Sequence, residues 1–123
     1  MAAAPPPTVD VLRMAPRALG IGFALFLSVF ALDVFDEATG FVDTAIALLA
    51  HLVPTLALLA TVAVAWRHEW IGALVFGGLG VAYVAFVRGF PIATYAVIAG
   101  PALATAALYL ASWRLRLKLP PTQ

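Results

Sequence analysis

Hydrophobic and polar positions along the chain resolve into four apolar runs separated by three short polar breaks, DEATGFVD, RHE and RGFP. The longest run, Thr44 to Trp66, contains 23 residues with His51 as its one ionisable group, and is long enough to cross a bilayer as a helix. The first run, Ala18 to Phe35, is ~27 Å long at 1.5 Å per residue and just spans. The third and fourth cover about Trp70 to Val87 and Ile92 to Trp113. The pattern predicts an all-α fold: a four transmembrane helix bundle, up-down-up-down, over residues 12–113, with helices at about 18–35, 44–66, 70–87 and 92–113. Residues 1–11, rich in alanine and proline, read as a disordered arm because proline cannot continue a helix interior. Residues 114–123 read as a basic cytoplasmic tail.

Local chemistry places the breaks. Gly40 suits a left-handed helix end, and Asp43 stands where an N-cap carboxylate would accept from free backbone amides of helix 2. RHE is so short that helices 2 and 3 must form an antiparallel hairpin, with Trp66 and Trp70 at headgroup level on either side. Glu69 meets the positive end of the helix 3 dipole, and Pro91 suits the start of helix 4. Pro54 and Pro101 each remove a backbone donor inside a span and are the expected kinks. Gly77 and Gly80 on helix 3, and Ala96, Gly100 and Ala104 four apart on helix 4, are the expected helix-packing surfaces, since small residues let helices approach closely in lipid.

Composition sharpens the class. Of 123 residues, 64% are hydrophobic and 11% charged, against ~25% charged in ordinary soluble domains. Mean hydropathy is +1.05. A water-soluble fold of this size must cover its core with polar surface, whereas a bundle in lipid shows apolar side chains outward as well as inward. Lipid is therefore the expected partner, and a net charge of +1 gives no reason to expect nucleic acid. With no cysteine there is no disulfide framework, thiolate metal site or cysteine nucleophile. A signal peptide competes for the first run, as Arg13 and Arg17 precede it, but the run is long and carries Asp33.

Charge distribution predicts an orientation. Placing both termini in the cytoplasm puts Arg13, Arg17, Arg67, Arg114, Arg116 and Lys118 on that side, six of the seven cations, and leaves Arg88 outside. Asp33, Asp36, Glu37 and Asp43 fall at the outer end. The positive-inside rule then gives N-in and C-in.

Ionisable groups inside spans are costly and mark candidate sites. Asp33, near the outer end of helix 1, is the acid expected inside the bundle. His51 lies eight residues into helix 2, where it is either satisfied locally by a hydroxyl or carbonyl, or shares a water or proton with Asp33. Ser28 is nearly level with His51. Tyr83, Arg88, Thr94 and Tyr95 are the other polar groups of the outer half. Asp33 and Glu37 at i and i+4 together with His51 make only a weak metal set, because a second histidine is wanting on that side. No metal and no cofactor is therefore expected.

The segments FLSVFALDVFDE, HLVPTLALLATVAVAWRHEWIGALVFGGLGVAYV and IAGPALATAALYLASW, taken together, resemble a small uncharacterised bacterial four-helix membrane protein family, a domain of unknown function. The resemblance covers roughly residues 20–113. It implies the four-helix fold and a bacterial cell-membrane location, and it brings no activity, ligand or catalytic residue. His68 departs from the expected aromatic or aliphatic residue at its position.

Two functional expectations follow. The first is a non-enzymatic membrane protein that acts through packing against itself or another membrane protein. The second is a small proton-coupled transporter using Asp33 and His51. No nucleophile with a base, metal pair or phosphate-binding glycine loop is legible, so an enzyme is not expected.

Overall fold

A computed structural model describes residues 7–37 and 39–119. The chain forms four long helices. Helix α1 spans Pro7–Glu37 and contains one 3-10 turn, Phe30–Asp33; α2 is Phe41–Ala65, α3 is Glu69–Phe86 and α4 is Ile92–Lys118. All four are long and apolar enough to cross a membrane. They pack as a ring: α1 touches α2 and α4, α2 also touches α3, and the α3–α4 pair is the most extensively packed.

Helix 1 begins earlier than Ala18 and the final helix ends later than Trp113. Residues 7–11, expected in a disordered arm, are helical: Pro7 stands at the helix start where no backbone donor is needed, and Val9 is buried. Pro16, buried, lies inside α1 and costs it one internal bond without ending it. Residues 1–6 of the arm lie outside the described residues. At the other end Arg114 to Lys118 of the expected tail continue α4, with Arg116 and Lys118 in its last turn, where cations meet the negative end of the helix dipole. At 1.5 Å per residue α1 is ~46 Å and α4 ~40 Å long, both well beyond a ~30 Å hydrocarbon layer.

The turns follow glycine chemistry more than capping chemistry. Gly40 (φ +118°) is the N-cap of α2 and Gly89 (φ +87°) lies in the α3–α4 loop, both in backbone conformations that favour glycine. Asp43 is not the N-cap: it sits in the first turn of α2, where its charge still favours the dipole, and the Thr44 hydroxyl donates back to the Gly40 carbonyl (2.6 Å). Helices α2 and α4 both run through Pro54 and Pro101 without interruption.

Phe23, Ala24, Leu58, Val62, Ala65, Phe76, Ala102 and Tyr109 make one core. Outside it, large aliphatic residues such as Val42, Leu49, Leu56, Leu74 and Val81 are all more than 60% exposed. Such a surface is unfavourable in water and neutral in lipid, which is what four membrane-type helices require.

The helices approach closely where glycines allow it. A Cβ at Gly20 would stand 2.9 Å from Val62, and one at Gly80 would stand 2.7 Å from Leu103. Gly77 faces Ala106. Gly77 and Gly80 thus lie in the α3–α4 contact. Ala96, Gly100 and Ala104 do not face the core formed by the described residues. All three are exposed, and a Cβ at Gly100 would meet nothing within 4 Å. With ~100° per residue they point about 180° away from the buried face of α4, which is Ala99, Ala102, Thr105, Tyr109 and Ser112.

Candidate functional site

The polar groups expected to meet in the outer half do not converge. Asp33 is exposed: α1 turns Ala31 and Val34 inward there and leaves Leu32 and Asp33 facing outward. His51 is exposed too, its Nδ1 2.9 Å from the Ala47 carbonyl one turn earlier. It lies within about 40° of buried Thr55 on the same side of α2. Yet no residue of α2 from Phe41 to Pro54 is buried, so the core stops below it. Ser28 is half-buried and donates to the Leu25 carbonyl (2.6 Å). Tyr83 packs edge-on against Tyr95, whose hydroxyl donates to the Val87 carbonyl (2.8 Å). Ser28, His51 and Tyr95 are each satisfied on their own helix or the adjoining loop, and among the described residues no three His, Cys, Asp or Glu side chains gather as a metal set.

Because Asp33 and His51 are exposed and form no ion pair or hydrogen bond with each other, Asp33→Asn and His51→Leu should each leave stability within ~0.5 kcal/mol of the parent, the ordinary effect of a surface change. Thermal unfolding in mild detergent reads this directly.

The buried polar chemistry lies at the opposite end, where the RHE turn meets the start of α1 and the end of α4. Glu69, in the first turn of α3, is 2% exposed. Its Oε1 accepts a hydrogen bond from Ser112 Oγ on α4 (2.8 Å) and lies 3.6 Å from Arg116 Nη2. A carboxylate at a helix N-terminus is electrostatically favoured, but a buried one also needs partners, and α4 supplies them.

Two arginines close the same end from either side. Arg17 of α1 donates from Nη2 to the Trp66 carbonyl (3.1 Å) and lies over the Trp66 ring, 4.2 Å from its centre, a cation–π arrangement. Arg116 of α4 donates from Nη1 to the Arg67 carbonyl (3.3 Å). The carbonyls at the end of α2, which no helical amide can reach, are thus met by cations from the first and last helices. Trp66 and Trp70 remain about half exposed on the rim.

Tyr109 lies beneath this cluster, fully buried, its ring stacked with Phe76 at 6.0 Å. Gly72 makes room for it: a Cβ there would fall 2.7 to 2.8 Å from three of the ring carbons. The cluster therefore ties α1, α3 and α4 to the α2–α3 turn through charge and hydrogen bonds at the mouth of an otherwise apolar core.

Sequence reasoning had Glu69 only as a partner of the helix dipole. A signal was present nonetheless: Ser112 and Arg116, four apart on one face of α4, are the polar positions at the level of the RHE turn.

A family model described as Domain of unknown function (DUF7670) matches residues 6–121, nearly the whole chain. The chain belongs to this family. The match takes in all four helices of the DUF7670 fold and every residue of the Glu69 cluster. No curated protein and no solved structure matches the chain.

Proposed function

We propose that this DUF7670 protein is a non-enzymatic multi-pass protein of the cell membrane, with both termini cytoplasmic, that acts by associating with a second copy through α4. The observation that carries this is the Ala96–Gly100–Ala104 stripe: it has the small-residue pattern of close helix contact, lies on the far side of α4 from the core, and is exposed along its length, with Gly100 meeting nothing among the described residues. Other small residues, Gly20, Gly72 and Gly80, are already consumed by intramolecular packing, so the stripe is surplus to the fold. The cytoplasmic placement of the termini rests on the six cations gathered at the Glu69 end. A carrier built on Asp33 and His51 has less support, since both are exposed and neither contacts the other.

Gly100→Leu should abolish the dimer while leaving the protomer as stable as before, because the position opens onto free space. The measurement is solubilised mass in mild detergent together with cross-linking in membranes. A parent protein that is cleanly monomeric in both, or a dimer indifferent to Gly100→Leu, would overturn self-association through this face.

A further inference from the structure

Among the described residues, three buried polar atoms of the Glu69 cluster have no hydrogen-bond partner: Tyr109 Oη, Glu69 Oε2 and Arg17 Nε. They come from three different helices. Glu69 and Tyr109 are each at least 98% buried, so bulk solvent does not reach them freely. An unpaired buried donor or acceptor bears its full desolvation penalty, and native proteins rarely leave three together.

The three residues lie at one end of the bundle, joined by a short chain of contacts. Ser112, one turn beyond Tyr109 on the same face of α4, touches Glu69 at 2.8 Å. The Tyr109 ring lies over Gly72, one turn beyond Glu69 on α3. Arg17 is fixed over Trp66, three residues before Glu69, and one turn further along α1 Gly20 meets Phe76, on which Tyr109 stacks. The donor and acceptor inventory is also specific. Arg17 Nε–H can only donate, the Glu69 carboxylate can only accept, and the Tyr109 hydroxyl does either.

We infer that the Arg17–Glu69–Tyr109 junction is a binding site for a single water molecule, which accepts from Arg17 Nε–H and the Tyr109 hydroxyl and donates to Glu69 Oε2. Two donors and one acceptor match the capacity of water, and three bonds is the usual number for a buried one. An anion is disfavoured by the carboxylate. A metal ion is disfavoured by the two guanidinium groups, which also occupy the carbonyls of Trp66 and Arg67. Arg116, whose side chain is 42% exposed, forms the rim through which the water exchanges with the aqueous phase. The foot of the bundle is thereby hydrated while the core directly above it, Phe76 and Phe23, stays dry.

The test is water-selective magnetisation transfer by NMR on the full chain in lipid bilayers, with tyrosine ring labels in a Tyr83→Phe, Tyr95→Phe background so that one tyrosine signal remains. Tyr109 should receive magnetisation from water at short mixing times, several-fold faster than labelled Phe76 beside it. Ser112→Ala, which removes the hydroxyl bonded to Glu69 Oε1 but none of the three ligands, should leave the transfer intact. A Tyr109 signal as dry as Phe76, or transfer lost in Ser112→Ala, would overturn the site. Chemical shifts of Phe76 unchanged from the parent show in each case that the fold is retained.

Discussion

Gly72→Val is expected to be the most damaging single apolar substitution in this protein. The Tyr109 ring occupies the space a side chain at position 72 would need, with ring carbons 2.7 to 2.8 Å from the first added atom. The ring cannot step aside, because it is fully buried and stacked with Phe76. Overpacking a full core costs about 1–3 kcal/mol and occasionally more, and valine adds two further methyl groups to the clash. A lowered unfolding temperature in detergent, or failure to accumulate in the membrane, is the expected result. Gly78→Val is the matched control: position 78 is exposed and a Cβ there meets nothing within 4 Å, so its unfolding temperature should stay near the parent's. Partial recovery in Gly72→Ala, Tyr109→Leu relative to Gly72→Ala alone would locate the effect at this contact, since touching residues couple by about 0.5–3 kcal/mol.

Glu69→Lys should be comparably severe, for an electrostatic reason. It would set a third cation beside Arg17 and Arg116 in a position 2% exposed, with no acid left in the cluster. An uncompensated buried charge costs several kcal/mol. Glu69→Gln separates charge from hydrogen bonding: the amide oxygen still accepts from Ser112, and the lost ion pair reaches only the half-exposed Arg116, an interaction of about 0–1 kcal/mol. The expected order of stability is parent, then Gln, then Lys by a wide margin. Gln and Lys variants of equal stability would show that Glu69 is not buried among these partners.

The four spans were legible because membrane crossing is a property of run length and composition, both written locally in the chain. Gly77 and Gly80, three apart on one helix, offer a small-residue face that packing against Ala106 and Leu103 uses, whereas the adjacent Gly78 opens onto free space. Which face of a helix turns inward is set by its neighbours, and there local reading failed. Asp33 stands nine residues beyond buried Ala24, about 180° around the helix from it at ~100° per residue, and only the neighbours' choice of the Ala24 face turns it outward. His51 lies on the correct side of α2 but above the level at which the core ends. Glu69 is the reverse case. Hydropathy places it in a polar turn, and its burial is imposed by Ser112 and Arg116, more than forty residues later in the chain. The early start of α1 was hidden by its prolines, which local rules read as breakers although one begins the helix and another packs inside it.

The absence of native cysteine makes single-cysteine accessibility the most direct measurement of how the chain is threaded. Cysteines introduced one at a time at Asp36, His68, Gly89 and Lys118 would be probed with a membrane-impermeant thiol reagent in sealed vesicles of known sidedness. His68 and Lys118 should react only from the cytoplasmic side, and Asp36 and Gly89 only from the opposite one. Reaction of His68 and Gly89 from the same side would mean that α3 does not cross the bilayer, and the four-span architecture would be wrong.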